Sequence, residues 1–174
     1  MSNENIVFAY IREAFPSYRK DDQQMFQRCN DAALNDWPVA DTWPPLVRGM
    51  LSVTGEGDLG GSFRGHRLIS IVGTFNGIEV RGMIQWLEKF EALLRRVYWI
   101  EAEVYSLGGW EGGRCRFLYR VPMETIIAYS GESPMLPTTW KLRCLELPSI
   151  SKAAEPPFIE ALRQRPEFTS DPPD

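Results

Sequence analysis

Histidine is almost missing from this sequence: His66 is the single one among 174 residues. A serine-histidine triad or a histidine metal centre would have to be built on it. Ser62 and Ser70 stand nearby, yet neither sits in a nucleophile elbow, and no cysteine or carboxylate lies at ligand spacing. A loop histidine between Gly65 and Arg67 is the reading that remains. Cysteine is scarce as well. Cys29, Cys115 and Cys144 are odd in number and far apart, which excludes CxxC knuckles and a fully paired disulfide framework and leaves free thiols. No apolar run reaches the roughly 18 residues of a spanning helix, and residues 1–10 lack a basic region followed by a long apolar one. The expected setting is therefore the cytoplasm. Surplus positive charge is lacking too: the formal net charge of −4 argues against a nucleic-acid or anionic-membrane partner.

What is present is a globular composition, 44% hydrophobic and 24% charged. At this length about two-thirds of the unfolded surface can be buried on folding. The expectation is one domain over residues 1–170, with a helical N-terminal part at 1–36, an α+β core at 46–147 and a frayed tail at 171–174. Residues 82–121 organise the rest. Met83, Trp86, Leu87, Phe90, Leu93, Leu94 and Val97 recur at steps of three and four with charged residues between them, which predicts a helix over 82–97 with one apolar face. The period then falls to two, so residues 98–107 and 114–121 read as strands joined by the glycine-rich segment 108–113. In that register Cys115, Phe117, Tyr119 and Val121 face the helix with Ile100, Ala102 and Val104, and Glu101, Glu103, Arg114, Arg116 and Arg120 point outward. The fold class is α+β, an antiparallel sheet with a packed central helix.

Elsewhere the signals are local. Ile6, Val7, Tyr10, Ile11 and Phe15 fall at helical spacing before Pro16, which predicts a first short helix over 4–15. Asp21 or Asp22 can cap a second helix, with Met25, Phe26, Cys29, Ala33 and Leu34 on its inner side. Trp37-Pro38 and Trp43-Pro44-Pro45 suggest a connector packed on the core, or an exposed binding edge. Residues 46–53 fit a strand or a short helix. The Asn76-Gly77 turn signal predicts a tight hairpin of strands 67–75 and 77–81, and the competing reading is one bent strand over 68–80. Residues 123–129 are apolar and of either type, 140–147 alternate as a strand, and Pro156-Pro157 precedes a short helix over 158–165.

Residues 55–60 satisfy G-x-G-x-x-G literally, but strand residues follow where a phosphate site needs a helix to begin, so a loop is the better reading. Glu101 and Glu103 are about 7 Å apart along their strand, a separation that glycosidase carboxylates also use. The arginines across the hairpin make a solvated charge ladder the simpler account. Trp110, with Glu111 beside it, stands among four glycines and either folds back on the sheet or projects toward a partner. Catalysis would need Glu101, Glu103, His66 or Glu111 to converge in a pocket. No catalytic residue, metal or cofactor is expected.

Val80-Arg-Gly82, Trp86 to Leu93, Arg96 to Trp99 and the hairpin to Val121 together resemble the PilO, GspM and MshJ kind of pilus and type II secretion assembly proteins, most of all the MshJ branch in Trp86-Leu87, Glu91 to Leu93 and Trp99. The resemblance implies a ferredoxin-like helix-strand-hairpin core, with a strand ending at Gly82, and a non-enzymatic scaffold that pairs with a similar domain. It also raises the alternative that the chain is the soluble periplasmic portion of a longer membrane-anchored protein. The functional expectation is a protein-interaction module, a structural component of a pilus, secretion or other macromolecular assembly, acting through a protein partner or self-association. Trp110, Glu111, Glu101, Glu103, Arg114 and Arg116 are its candidate contact residues. The alternative is a cytoplasmic inhibitor or immunity-type protein that blocks a toxin or host enzyme.

Overall fold

The computed structural model describes residues 4–14, 20–54, 67–78, 80–108, 114–131, 133–146, 160 and 162–168. In chain order these form strand β1 (Glu4–Glu13), helix α1 (Lys20–Asn35), a 3-10 turn at Arg48–Met50, strands β2 (Leu51–Thr54) and β3 (Leu68–Asn76), helix α2 (Val80–Leu94), strands β4 (Trp99–Gly108) and β5 (Arg114–Arg120), helix α3 (Met123–Ala128) and strand β6 (Lys141–Glu146). The fold is α+β, with one six-stranded antiparallel sheet in the order β2-β3-β1-β4-β5-β6.

Residues 4–13 are therefore a strand rather than the expected first helix. Two periods coexist there. Val7, Ala9 and Ile11 alternate as fully buried residues, whereas Ile6, Tyr10 and Ile11 also recur at helical steps. Pairing decides between them, because β1 has β3 on one side and β4 on the other, and its β-branched and aromatic side chains suit a pleated surface. Among the described residues of 1–36, α1 is thus the one helix.

The Asn76-Gly77 hairpin is likewise overturned. Gly77 adopts φ 66°, the left-handed region that glycine enters without strain, and there β3 ends. The chain enters α2 by Val80, so residues 80–82 are helical and not the end of a strand. The bent-strand reading over 68–80 fails for the same reason. Helix α2 otherwise follows its periodicity, and β4 and β5 form the expected hairpin ladder from Glu101 opposite Arg120 to Leu107 opposite Arg114.

One sheet face carries the core. Trp86, Leu87, Phe90, Leu93 and Leu94 of α2 are fully buried against Val7, Ile11, Ile71, Ala102, Val104, Phe117 and Tyr119. Trp86 stacks on Phe90 at 5.6 Å, and Phe90 meets Tyr119 edge-on at the same distance. Burying each such ring contributes about 2 kcal/mol or more. Helix α1 closes the other part of this layer through Phe26, Asn30 and Leu34, an i, i+4, i+8 stripe. Met25, 40% exposed, and Cys29, exposed, do not face inward as expected. The helix is turned so that Asn30 donates to the Glu13 carboxylate at 3.1 Å and to the Tyr98 carbonyl at 3.0 Å, which carries their positions to the solvent side.

The two connector tryptophans divide the two readings. Trp37 is buried and donates to the Leu46 carbonyl at 2.8 Å, while Trp43 is 56% exposed with its edge on Phe75. The segment 46–53 contains both a 3-10 turn and a strand, 123–128 is helical, and 141–146 is the expected strand with Trp140 and Leu142 inward. Glu160, Leu162 and Arg163 are helical, within the expected 158–165. The remaining expectations on residues 55–66, 109–113 and 169–174, including His66 and the glycine-rich segments, lie outside the described residues.

Candidate functional site: the outer face of the sheet

Strand alternation gives the sheet a second face, away from α1 and α2, and the register aligns it into rows. Thr74, Ile6 and Leu107 make one row, and Val72, Phe8 and Tyr105 lead to Arg116 in the next. Ser70, Tyr10, Glu103, Leu118 and Arg143 form the third, and Leu68, Arg12, Glu101, Arg120 and Lys141 the fourth. The face is apolar at one end: Ile6 is 44% exposed, Phe8 37%, Val72 54% and Leu107 40%. It is cationic at the other.

Glu103 sits between the two ends and is buried, at 6% exposure. Its carboxylate accepts from the Tyr10 hydroxyl at 2.6 Å, from the Tyr105 hydroxyl, and from Arg116 Nε at 2.7 Å. Burial alone would raise its pKa. The hydrogen bonds from Arg116, Tyr10 and Tyr105, with the Arg116 charge, outweigh burial and hold it below the ordinary carboxylate value. Burial and the same carboxylate push the Tyr10 and Tyr105 hydroxyls up. Arg116 also covers the Tyr105 ring, its guanidinium carbon 5.4 Å from the centroid. The result is an anion locked in place with its donors.

Beside this cluster lies a groove of about 430 Å³ between β5 and β6. Leu118 and Leu145 contribute apolar surface, Pro122 and Met123 at the start of α3 border it, and Arg116, Arg120, Lys141 and Arg143 supply cations. Glu101 binds Arg120 Nε at 2.9 Å and lies 3.8 Å from Arg12 Nη2.

The charge ladder is thus not the uniformly solvated one expected. Glu101 does stand opposite Arg120, but Glu103 stands opposite Leu118 and is reached diagonally by Arg116 from the Tyr105 row. Two tyrosine hydroxyls bond it, and Leu118 is its cross-strand neighbour. Among the candidate contact residues, Glu101, Glu103 and Arg116 share this face, while Arg114 begins β5 with its side chain outside the described residues, as are Trp110 and Glu111 entirely. Tyr10, Ile6 and Phe8 escaped sequence reasoning because residues 4–15 were assigned a helical period. A period-two reading of the same stretch places all three on one face.

Two other buried carboxylates serve the packing layer. Glu13 accepts from Asn30 and pairs with Arg67 Nε at 3.1 Å. Glu91 accepts from the Tyr119 hydroxyl at 3.2 Å and from Arg165 Nη1 at 2.7 Å. Burial raises both pKa values against the opposing pull of those partners. The first cluster ties α1 to β1, and the second ties α2 to β5 and the C-terminal segment. Cys115 is buried, which pushes its thiol up to about 11, and it is not poised as a nucleophile.

Among the described residues, no group of three histidine, cysteine or acidic side chains is placed to hold a metal ion, and no helix is long and apolar enough to cross a membrane. No family model, curated protein or solved structure matches the chain.

Proposed function

We propose that this chain is a non-enzymatic protein-interaction module that presents the outer face of its sheet to a partner, as a structural component of a pilus, secretion or other macromolecular assembly. The observation that carries the reading is the row Val72–Phe8–Tyr105–Arg116, where exposed apolar side chains run directly into an ordered tyrosine-carboxylate-arginine cluster. An apolar patch rimmed by fixed polar groups is the anatomy of an interface. The state of Glu103 favours binding over catalysis, because a carboxylate held below its ordinary pKa by three donors is a poor proton acceptor near neutrality.

The element order β1-α1-β2-β3-α2-β4 supports a ferredoxin-like core to which β5 and β6 are added at the β4 edge. That reading is compatible with the resemblance to pilus and secretion assembly proteins, although the strand that the resemblance implied before Gly82 is helix. The test is photo-crosslinking in the native cells, with a photoreactive phenylalanine analogue at position 8 and, separately, at exposed position 28 on α1. A discrete protein adduct from position 8 alone, to this chain or to an assembly component, is expected. Equal labelling from both positions sinks the reading. An adduct with one toxin or enzyme would turn it toward the inhibitor alternative.

A further inference from the structure

The outward side chains of β1 run Glu4, Ile6, Phe8, Tyr10, Arg12: an acid at one end, a base at the other and a phenylalanine midway. The pairing of β1 with β3 and β4 is regular over this span, and its one irregularity falls beyond Arg12. Glu4 and Arg12 therefore stand about 14 Å to either side of Phe8. Both ends have unused capacity. Glu4 is exposed and has no ion-pair partner among the described residues. Arg12 Nε is buried without an acceptor, and Arg12 Nη2 lies 3.8 Å from Glu101, whose closer partner is Arg120 Nε at 2.9 Å. Two guanidinium groups thus share one carboxylate.

We propose that two copies of this chain pack outer face to outer face about a two-fold axis that crosses β1 at Phe8, with Glu4 of each copy on Arg12 of the other. Stacked sheets lie about 10 Å apart with their strands within about 30° of alignment. When the two β1 strands run in opposite directions, Phe8 meets Phe8, Ile6 meets Tyr10, and the acid of each copy meets the base of its mate. Strands running the same way would set Glu4 on Glu4 and Arg12 on Arg12, so the order of charges selects the first arrangement. Each Glu4 then supplies the second carboxylate that Arg12 and Arg120 lack. Ile6 and Leu107 come down on the row of Tyr10 and Glu103, whose carboxylate already holds three donors, so no unpaired charge is buried there. Val72, 54% exposed, meets its own copy beside Phe8. Arg116 approaches its own copy at the margin of the contact, where twisted sheets splay apart. It arrives paired with Glu103 at 2.7 Å and has Glu146 as its register partner on β6. The contact has an apolar centre and a charged rim, the usual anatomy of an interface.

This inference rests on the outer face being an interaction surface, and it names the occupant. Sedimentation equilibrium of the purified chain is expected to show a monomer-dimer equilibrium in the micromolar range. A two-fold contact doubles every substitution, so E4R and R12E should each weaken the dimer about tenfold by turning both rim pairs into like charges. An equimolar mixture of the two should recover it, because each end of the mixed dimer again pairs an acid with a base. The E4R/R12E double variant should recover it as well, and R28E on α1 should leave it unchanged. If R12E fails to fold by circular dichroism, E4R still decides, since Glu4 is exposed and makes no ion pair that folding needs. A monomer at all concentrations up to about 1 mM, a dimer that E4R leaves intact, or folded single variants that do not recover on mixing overturns the proposal. If the purified chain is monomeric while position 8 crosslinks a different protein in cells, the two-copy inference falls and the outer-face reading stands. If the chain dimerises but a photoreactive residue at position 8 fails to join the two copies, the dimer uses another surface and the inference falls, whatever position 8 finds in cells.

Discussion

The inner and outer faces of β1 are spelled by the same ten residues, and they use side-chain size in opposite ways. Inward, Val7, Ala9 and Ile11 are fully buried, and the small Ala9 leaves room for the rings of α2. Outward, the larger Ile6, Phe8 and Tyr10 stand on a surface where Ile6 and Phe8 keep 44% and 37% of their area exposed. A core gains free energy by enclosing area of that kind. The bulky residues on the open side therefore contribute less to folding than their size allows, and the two faces differ in how they use area: the inner face encloses it in the core, and the outer face leaves part of it in contact with water.

The most severe way to break that comparison is to truncate one ring on each side. Trp86→Ala should lower unfolding free energy by about 3–5 kcal/mol, the range for large aromatic truncations in cores. Phe8→Ala should cost about 1–2 kcal/mol, because 37% of the residue is exposed and its ring contacts only Tyr105 among the described aromatic rings. Urea denaturation of the two variants measures both. Equal losses would mean that the outer face is covered and that the comparison is misdrawn.

Glu103→Gln comes next. It replaces one of the two accepting oxygens by an NH2 group, which cannot accept from the tyrosine hydroxyls or Arg116, and removes the negative charge that faces the Arg116 guanidinium, for an expected loss of about 2 kcal/mol. Glu101→Gln, in the more open neighbouring row, should cost under about 1 kcal/mol. A Glu103→Gln loss no larger than that of Glu101→Gln would show the tyrosine cluster to be loosely held.

The carboxylates of the two layers also titrate in opposite senses. Glu103 has a folded pKa below its ordinary value, so its contribution is complete above the ordinary carboxylate pKa and is lost as pH falls through the depressed one. Glu91 has a raised folded pKa, so its protonated form is favoured by folding. Its contribution is complete below the ordinary value and is lost as pH rises through the raised one. Urea midpoints followed from acid to neutral pH should therefore fall less steeply toward acid in Glu103→Gln, and decline less toward neutral in Glu91→Gln. A change of slope on the same side in both variants would contradict the opposite burial balances.

Legibility in the sequence followed the same division. Helix α2 and the β4–β5 ladder were readable because their apolar residues must all reach one buried surface, which leaves a single period in Met83 to Val97 and in Cys115, Phe117 and Tyr119. β1 was not, because two apolar sets occupy it, one for each face, and together they imitate a helical repeat. The outward set of Glu101, Glu103, Arg116 and Arg120 was legible as a face. The burial of Glu103 was not, since it depends on Tyr10 arriving from a strand 93 residues away in sequence. The start of α2 at Val80 was hidden behind an Asn-Gly pair that signals a hairpin locally, but here ends a strand.

The smallest effect on stability should come from Val72→Thr. The change keeps the β-branched shape that suits β3 and adds a hydroxyl at a side chain 54% exposed to water, so unfolding free energy should move by less than about 0.5 kcal/mol. Val72 is nevertheless the direct cross-strand neighbour of Phe8, and a polar atom there would have to be desolvated when a partner covers the row. Crosslinking from position 8 should therefore fall in Val72→Thr while the urea midpoint stays put. If the midpoint drops and the crosslink persists, Val72 belongs to the folding layer, and the contact area must lie nearer Leu107 and the β4–β5 edge.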